Sequence, residues 1–171
     1  MICPTCGHKN FPGDDVCARC MLALAPLDLP TGHDAVEESV LHDAISTLKP
    51  KSPITIAVDA KLGLALDCMV KHGVGALLVV DADDKLVGIL TERDYLKKVV
   101  GVVLDYAHQP LRDYMTPTPE AVAPTDSIAM AMQKMVLGGY RHIPVLAEHK
   151  PVGIVSVRDV VKHITRLCGS A

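Results

Sequence analysis

What most restricts the fold of this chain is that it carries much the same stretch twice. LVGILTERDYLKK at 86–98 aligns with PVGIVSVRDVVKH at 151–163, with six identities in thirteen positions. Self-similarity on this scale points to a duplicated supersecondary unit. Upstream the likeness continues one register apart: Ala65, Met69, Val70, Gly73 and Val79 answer to Ala131, Met135, Val136, Gly139 and Val145. One residue is therefore missing from the second copy, between DADDK at 81–85 and AEHK at 147–150. A hairpin turn tolerates a change of length that a strand or helix does not, so a turn is expected there.

Each copy reads as a short strand (54–57; 120–123), a helix (60–72; 126–138), two strands across the turn (76–80 with 86–90; 142–146 with 152–155) and a closing helix (91–100; 156–167). The strands rest on the runs ALLVV and VGIL, bounded by turn residues. A copy of this length buries little surface by itself. Two copies packed sheet to sheet would share a core, leaving a pseudo-twofold axis and clefts between them. The expected class is α/β, in the α+β sense, with β-α-β-β-α repeats. Ahead of them, Val36, Val40, Ala44 and Leu48 recur every fourth residue and predict an amphipathic helix over 33–48. The carboxylates and histidines on it, His33, Glu37, Glu38 and His42, lack the spacing of a metal site and read as a solvated face.

Cysteine usage sets the N-terminus apart. Cys3 and Cys6 form one C-x-x-C, Cys17 and Cys20 a second after ten residues, while Cys68 and Cys168 stand alone and read as small apolar residues. Two such knuckles can offer four thiolates to one zinc. Gly7, Pro12 and Gly13 supply the turns, and His8 reads as a solvated loop residue. Disulfides or a redox C-x-x-C are the rivals; the first suit exported chains and the second a strand-to-helix junction, neither of which is evident here. Four thiolates close the coordination shell, so the expected Zn2+ is structural and provides most of the folding energy of so short a segment. The segment resembles the small zinc-ribbon family. Pro26, Pro30 and Gly32 mark a linker. The expected division is a zinc ribbon over 1–22, linker 23–34, first repeat with its leading helix 35–108, and second repeat 109–171.

Composition excludes several functions. A hydrophobic fraction of 49% with mean hydropathy +0.27 is enough for a packed core. Seventeen basic against twenty acidic residues leave a net charge of −3, without the basic excess of a phosphate-backbone binder. The five aromatic rings, Phe11, Tyr95, Tyr106, Tyr114 and Tyr140, are too scattered for a base-stacking surface. No apolar run nears the roughly 20 residues of a membrane span, and the first residues lack the features of an export signal, so a cytoplasmic location is expected. No nucleophile elbow, phosphate-binding loop or dinucleotide fingerprint is present, and no enzymatic activity is expected.

The repeats are similar to the cystathionine-beta-synthase (CBS) domain family, which occurs as tandem pairs, over about residues 35–167. The marks are GILTERD from Gly88 to Asp94, GIVSVRD from Gly153 to Asp159, the lead-in Met115-Thr116, and RHIPV from Arg141 to Val145. The resemblance implies that Thr91 with Asp94, and Ser156 with Asp159, serve a bound adenosine nucleotide: AMP, ADP or ATP. It further implies backbone contacts to the base at Thr55, Ile56, Ala121 and Val122, with Thr116, Arg93, Arg158, Arg141, His142, Ile143 and Pro144 completing the ligand set. Ala121 stands where Thr55 would align, so a hydroxyl contact is missing there. The same hydroxyl–acid pairs can be read without a ligand, as boxes capping the two closing helices. The expected function is regulatory: a nucleotide sensor, forming a homodimer, that signals to a protein partner through the ribbon. The alternative is a ribbon-based transcription or nucleic-acid adaptor with the repeats as a dimerising scaffold. Lys9 and Arg19 against Asp14 and Asp15 leave the ribbon neutral, which favours protein over nucleic acid as its partner.

Overall fold

The computed structural model describes Cys3 and residues 5–10, 16–21 and 34–169. Pro12 and Gly13, the linker residues Pro26, Pro30 and Gly32, and His33 lie outside the described residues.

Helix α1 (Ala35–His42) begins where the Asp34 carboxylate accepts the backbone N–H groups of Val36 and Glu37 at 2.8 and 2.9 Å. It ends sooner than its periodicity predicts. Asp43 and Ala44 are extended, and a single 3-10 turn covers Ile45–Leu48. The break has a tertiary cause. Ile45 N–H donates to the Asp126 carbonyl at 2.8 Å, Ile128 N–H to that of Asp43 at 3.0 Å, and the Ile45 side chain is wholly buried in the core of the second copy. Burying such a side chain contributes about 1.5–3 kcal/mol, more than continuing one exposed helix by a turn.

The first copy comprises β1 (Thr55–Ala57), α2 (Leu62–His72), β2 (Ala76–Val80), β3 (Leu86–Thr91) and α3 (Glu92–Lys98). The second follows β4 (Thr116–Pro117) and comprises α4 (Ile128–Gly138), β5 (His142–Ala147), β6 (Lys150–Ser156) and α5 (Val157–Cys168). Strand β1 runs parallel to β2, and β2–β3 and β5–β6 are antiparallel hairpins. Where 120–123 predicts a strand, the structure has one parallel bridge, Val122 to Val145. The bridge matches the pairing of Ile56 with Val79, but the flanking bonds given in the first copy by the N–H groups of Val58 and Leu78 have no counterpart, because the aligned residues are Pro124 and Pro144. Ala123 N–H caps the following turn on the Asp126 carboxylate at 2.7 Å. The missing residue lies in the turn, as expected. The first hairpin turns through five residues held by Asp81, whose side chain accepts from the N–H groups of Asp83 and Lys85, both at 2.9 Å. The second turns on Glu148 and His149 alone, both at positive φ (51° and 67°).

The copies are interlocked. Strand β4, the lead-in to the second copy, pairs with the outer edge of β3, giving the order β1-β2-β3-β4. Lys51, in the lead-in to the first copy, takes the outer edge of β6 opposite Ile154. Each lead-in lies over the glycine of the other copy's repeated motif. A Cβ on Gly88 would come within 2.4 Å of Met115 Sδ, and one on Gly153 within 2.7 Å of Pro50 Cβ. Glycine recurs at these two places because another chain segment occupies the space a side chain would need.

Each copy has its own core: Leu62, Ala65, Met69, Leu77 and Val79 belong to the first, and Ile128, Ala131, Met135, Ile143 and Val145 to the second. The other face of β2 and β3, with Ala76, Leu78 and Ile89, packs against Ile154 of the second copy. Every residue of β2 is therefore buried, which explains its unbroken apolar run. Among the described residues, no helix is long and apolar enough to cross a membrane.

Candidate functional site

The two repeated hydroxyl–acid pairs sit where a buried strand passes into a closing helix. At β3–α3, Thr91 Oγ1 accepts from Asp94 N–H at 3.3 Å, while Asp94 Oδ2 accepts from Thr91 N–H at 3.0 Å and from its hydroxyl at 2.6 Å. At β6–α5, Asp159 Oδ2 accepts from Ser156 N–H at 2.9 Å and from its hydroxyl at 2.6 Å. The capping role is thus realised in both copies. Each acid uses only Oδ2 for it.

The copies part company at Oδ1. In the first, Lys98 Nζ lies 2.8 Å from Asp94 Oδ1 and also donates to the Tyr114 carbonyl at 2.6 Å. In the second, the position aligned with Lys98 is His163, which is turned inward to Ser39. Among the described residues, nothing donates to Asp159 Oδ1. Burial works against ionisation of both acids. It is outweighed at Asp94 by Lys98 and Thr91, and at Asp159 by the Ser156 hydroxyl and N–H and then by the charges of Lys51 and Lys162, so both carboxyls are held below their ordinary range. A cavity of about 190 Å³ adjoins Asp159, lined by Thr47, Leu48, Lys49, Lys162, His163 and Arg166. Its cationic wall suits an anion.

The arginines of the motif also differ. Arg93 Nη1 reaches across to the Gly139 carbonyl at 3.0 Å, tying the copies together. Arg158 and Arg141 are exposed, with no hydrogen bond or ion pair among the described residues. His142, half-buried opposite Ser156, has its pKa lowered by burial; Glu92 of the first copy and Asp159 of the second act to raise it, and Arg141 to lower it. It therefore stands where the copies meet.

The remaining expected residues are more varied in place. Thr55 is exposed on β1 and Thr116 on β4, where it faces Ile89. Ile56, Val122 and Ile143 are core side chains, leaving only backbone for a ligand. The carbonyls of Ala121 and Pro144 already accept, from Lys134 Nζ at 2.8 Å and Val122 N–H at 3.0 Å. Sequence reasoning passed over Lys98, although an acid four residues before a lysine on a helix is a legible pair. It also passed over Lys162, an i,i+3 neighbour of Asp159 on α5, and Lys51, which only the interlocked fold brings to Asp159.

At the N-terminus the four knuckle thiols converge: all four sulfurs lie within 4.8 Å of one another, with Cys3–Cys20 and Cys6–Cys17 separations of 3.6 Å. Four thiolates about 2.3 Å from one zinc stand about 3.8 Å apart, so the residues fit a tetrahedral ion. The knuckles are built alike: Gly7 N–H donates to the Cys3 carbonyl and Met21 N–H to that of Cys17, each at 2.9 Å. Burial opposes ionisation of Cys17, but the backbone N–H groups of Cys20 and Arg19 and the thiols of Cys6 and Cys20 bring its pKa down to about 6. A low thiol pKa favours metal ligation.

Residues 45–101 and 111–166 each match the CBS domain family. Over 113 residues the chain is 34% identical to an uncharacterised 17.7 kDa protein of Acidianus ambivalens, covering 66% of this chain and 63% of that one. It is 38% identical to the mitochondrial CBS domain-containing protein CBSX3 of Arabidopsis thaliana, covering 58% and 50%. The chain thus spans only half to two thirds of these relatives. Among solved structures, a CBS-domain containing protein from Agrobacterium tumefaciens is 32% identical, with TM-score 0.63 over 70% of this chain and 94% of that one. A CBS domain protein from Pyrobaculum aerophilum, complexed with AMP, is 22% identical with TM-score 0.63 over 72% and 98%, a likeness of fold.

Proposed function

The chain belongs to the CBS-domain family, and from that premise we propose that it is a non-enzymatic regulatory protein that binds an adenosine nucleotide (AMP, ADP or ATP) between its two copies. The observation that carries this reading is the ionised carboxyl of Asp159, with one oxygen holding its helix cap and the other free to accept from a ribose hydroxyl, beside Lys51 and Lys162. Phosphate would draw on the exposed Arg141 and Arg158 and on His142, which stands between Glu92 of the first copy and Asp159 of the second. The AMP complex of the Pyrobaculum aerophilum protein supports this choice of ligand. Occupancy acts as a signal only if the nucleotide prefers one arrangement of the copies.

Two partners complete the reading. A second copy of the chain covers the helices on which Val70 and Leu96 of the first copy, and their counterparts Val136 and Val161 of the second, are exposed. The cysteine cluster, holding zinc, serves a partner protein rather than nucleic acid, since the segment's sequence has no basic excess.

A thermal melt of zinc-replete protein with AMP, ADP, ATP, S-adenosylmethionine and NADH tests the ligand. At a hundred times its dissociation constant the cognate nucleotide adds about 2.7 kcal/mol, or roughly 5–10 °C in Tm. Unchanged melting with all five would overturn the proposal.

A further inference from the structure

Resting on the nucleotide reading, we infer that the two crevices are unequal: Lys98 closes the first from within, and the chain takes a single nucleotide, at Asp159. The repeat makes Asp94 and Asp159 equivalent in sequence and in their capping bonds, so any difference lies in what surrounds them. Asp94 Oδ1, the oxygen not used by the cap, is held by Lys98 Nζ at 2.8 Å. That ammonium is not a loose neighbour. It is anchored on the Tyr114 carbonyl at 2.6 Å, and the Asp94 side chain it covers is only 13% exposed. Oδ1 could accept a second donor, but on a side chain so little exposed the approach to it lies under the anchored ammonium, and a neutral ribose hydroxyl competes there with a charged donor already in place.

Among the described residues, Asp159 Oδ1 has no such occupant. The aligned residue, His163, spends Nε2 on Ser39 Oγ at 2.7 Å, and its Nδ1 meets Arg166 Nη2 at 3.2 Å. Lys51 and Lys162 act on the Asp159 carboxylate through space, without an ion pair to it among the described residues. The cavity of about 190 Å³ adjoins Asp159 and carries Lys49, Lys162 and Arg166 on its wall. The arginines repeat the contrast, Arg93 being tied to the Gly139 carbonyl while Arg158 is exposed and unbonded among the described residues. Lys98 is thus an occupancy-determining residue, a lysine in one copy and a histidine in the other.

Titration calorimetry with AMP on the zinc-loaded full chain tests this. One AMP per chain is expected, with Asp159→Asn weakening binding about tenfold or more and leaving no second site. Lys98→Met, which frees Asp94 Oδ1, should raise the stoichiometry to two, and Asp94→Asn added to Lys98→Met should return it to one. Two AMP per chain in the unaltered protein, one AMP still bound normally by Asp159→Asn, or an unchanged stoichiometry in a folded Lys98→Met protein would each overturn the inference while leaving nucleotide binding intact. Should Lys98→Met fail to fold, the Asp159→Asn titration decides alone. No binding of AMP by either the unaltered or the Lys98→Met protein would remove the nucleotide reading itself, and this inference with it.

Discussion

His163 Nε2 lies 2.7 Å from Ser39 Oγ, joining α5 to α1 across 124 residues of chain. The Ser39 hydroxyl in turn donates to the Asp43 carboxylate, and His163 is 6% exposed. Because Arg166 donates to Nδ1, the ring presents N–H at Nε2 to the serine. This is opposite to a serine activated by a histidine base, so the trio is a structural latch for the leading helix.

Cutting the latch should loosen α1. Ser39→Ala leaves the buried Nε2–H without its acceptor, at a cost of about 1–3 kcal/mol, or roughly 2–12 °C in Tm. Hydrogen exchange should quicken in Ala35–His42 before it does in β2. Unaltered protection of α1 would show that packing against α4 alone holds it.

The interlock predicts unequal costs for two equivalent glycines. Gly153→Ala meets the ring of Pro50, which cannot turn aside, and should cost about 1–3 kcal/mol. Gly88→Ala meets the sulfur of Met115, which can swing away, and should cost less. Combining Gly88→Ala with Met115→Ala should recover part of the loss in urea unfolding. Equal costs at both glycines would contradict the account.

Acid should destabilise the protein through both helix starts. Asp94 and Asp159 have folded pKa values below the ordinary value of about 3.9, so their stabilisation is full above that pH and is lost as pH falls through the lower folded values. His142 also has a lowered folded pKa, so the unfolded chain binds its proton first and stability declines as pH drops below about 6.5. Urea unfolding between pH 7 and pH 3 should show two regions of decline. His142→Gln should flatten the upper one and Asp94→Asn with Asp159→Asn the lower; slopes unchanged by these substitutions would refute the assignment.

Metal removal should act locally. The core of the knuckles consists of the cysteines themselves, whereas the repeats have two apolar cores of their own. Elemental analysis should find one zinc per chain, lost in Cys6→Ser or on chelation, with the main thermal transition shifted little. Collapse of the whole protein on chelation would show that the repeats depend on the metal.

The exposed apolar face should be covered in solution. Light scattering should give a dimer for the unaltered chain and a monomer for Val70→Glu combined with Val136→Glu, both sites being more than 70% exposed in the single chain. A monomer before mutation would assign that face another occupant.

Much of this architecture could be read from the chain. The hairpin strand expected at 76–80 is Ala76–Val80, the one-residue gap falls in the turn, and the four knuckle sulfurs converge as their spacing predicts. Local pattern failed where distant segments intervene. The helix expected over 33–48 stops at His42 because Ile45 is drawn into the second core. The strand expected at 120–123 is one bridge for a local reason that was legible: Pro124 and Pro144 stand where Val58 and Leu78 donate in the first copy, and proline has no N–H to give. The crossed lead-ins leave no local trace except the glycines they require.

Sequence by itself determined that there are two copies, how each is built, and which residues recur, since hydrophobic period, turn chemistry and cysteine spacing act over a few residues. The exchange of Lys98 for His163 is also written in the chain, and with it the i,i+4 pair of Asp94 and Lys98. Tertiary structure alone decided what that exchange leads to: it anchored Lys98 on the Tyr114 carbonyl, turned His163 away to Ser39, and brought Lys51 to Asp159. Electrostatic neighbours are chosen by packing between segments far apart in the chain, and repetition of a motif says nothing about which charges the fold will set beside each copy.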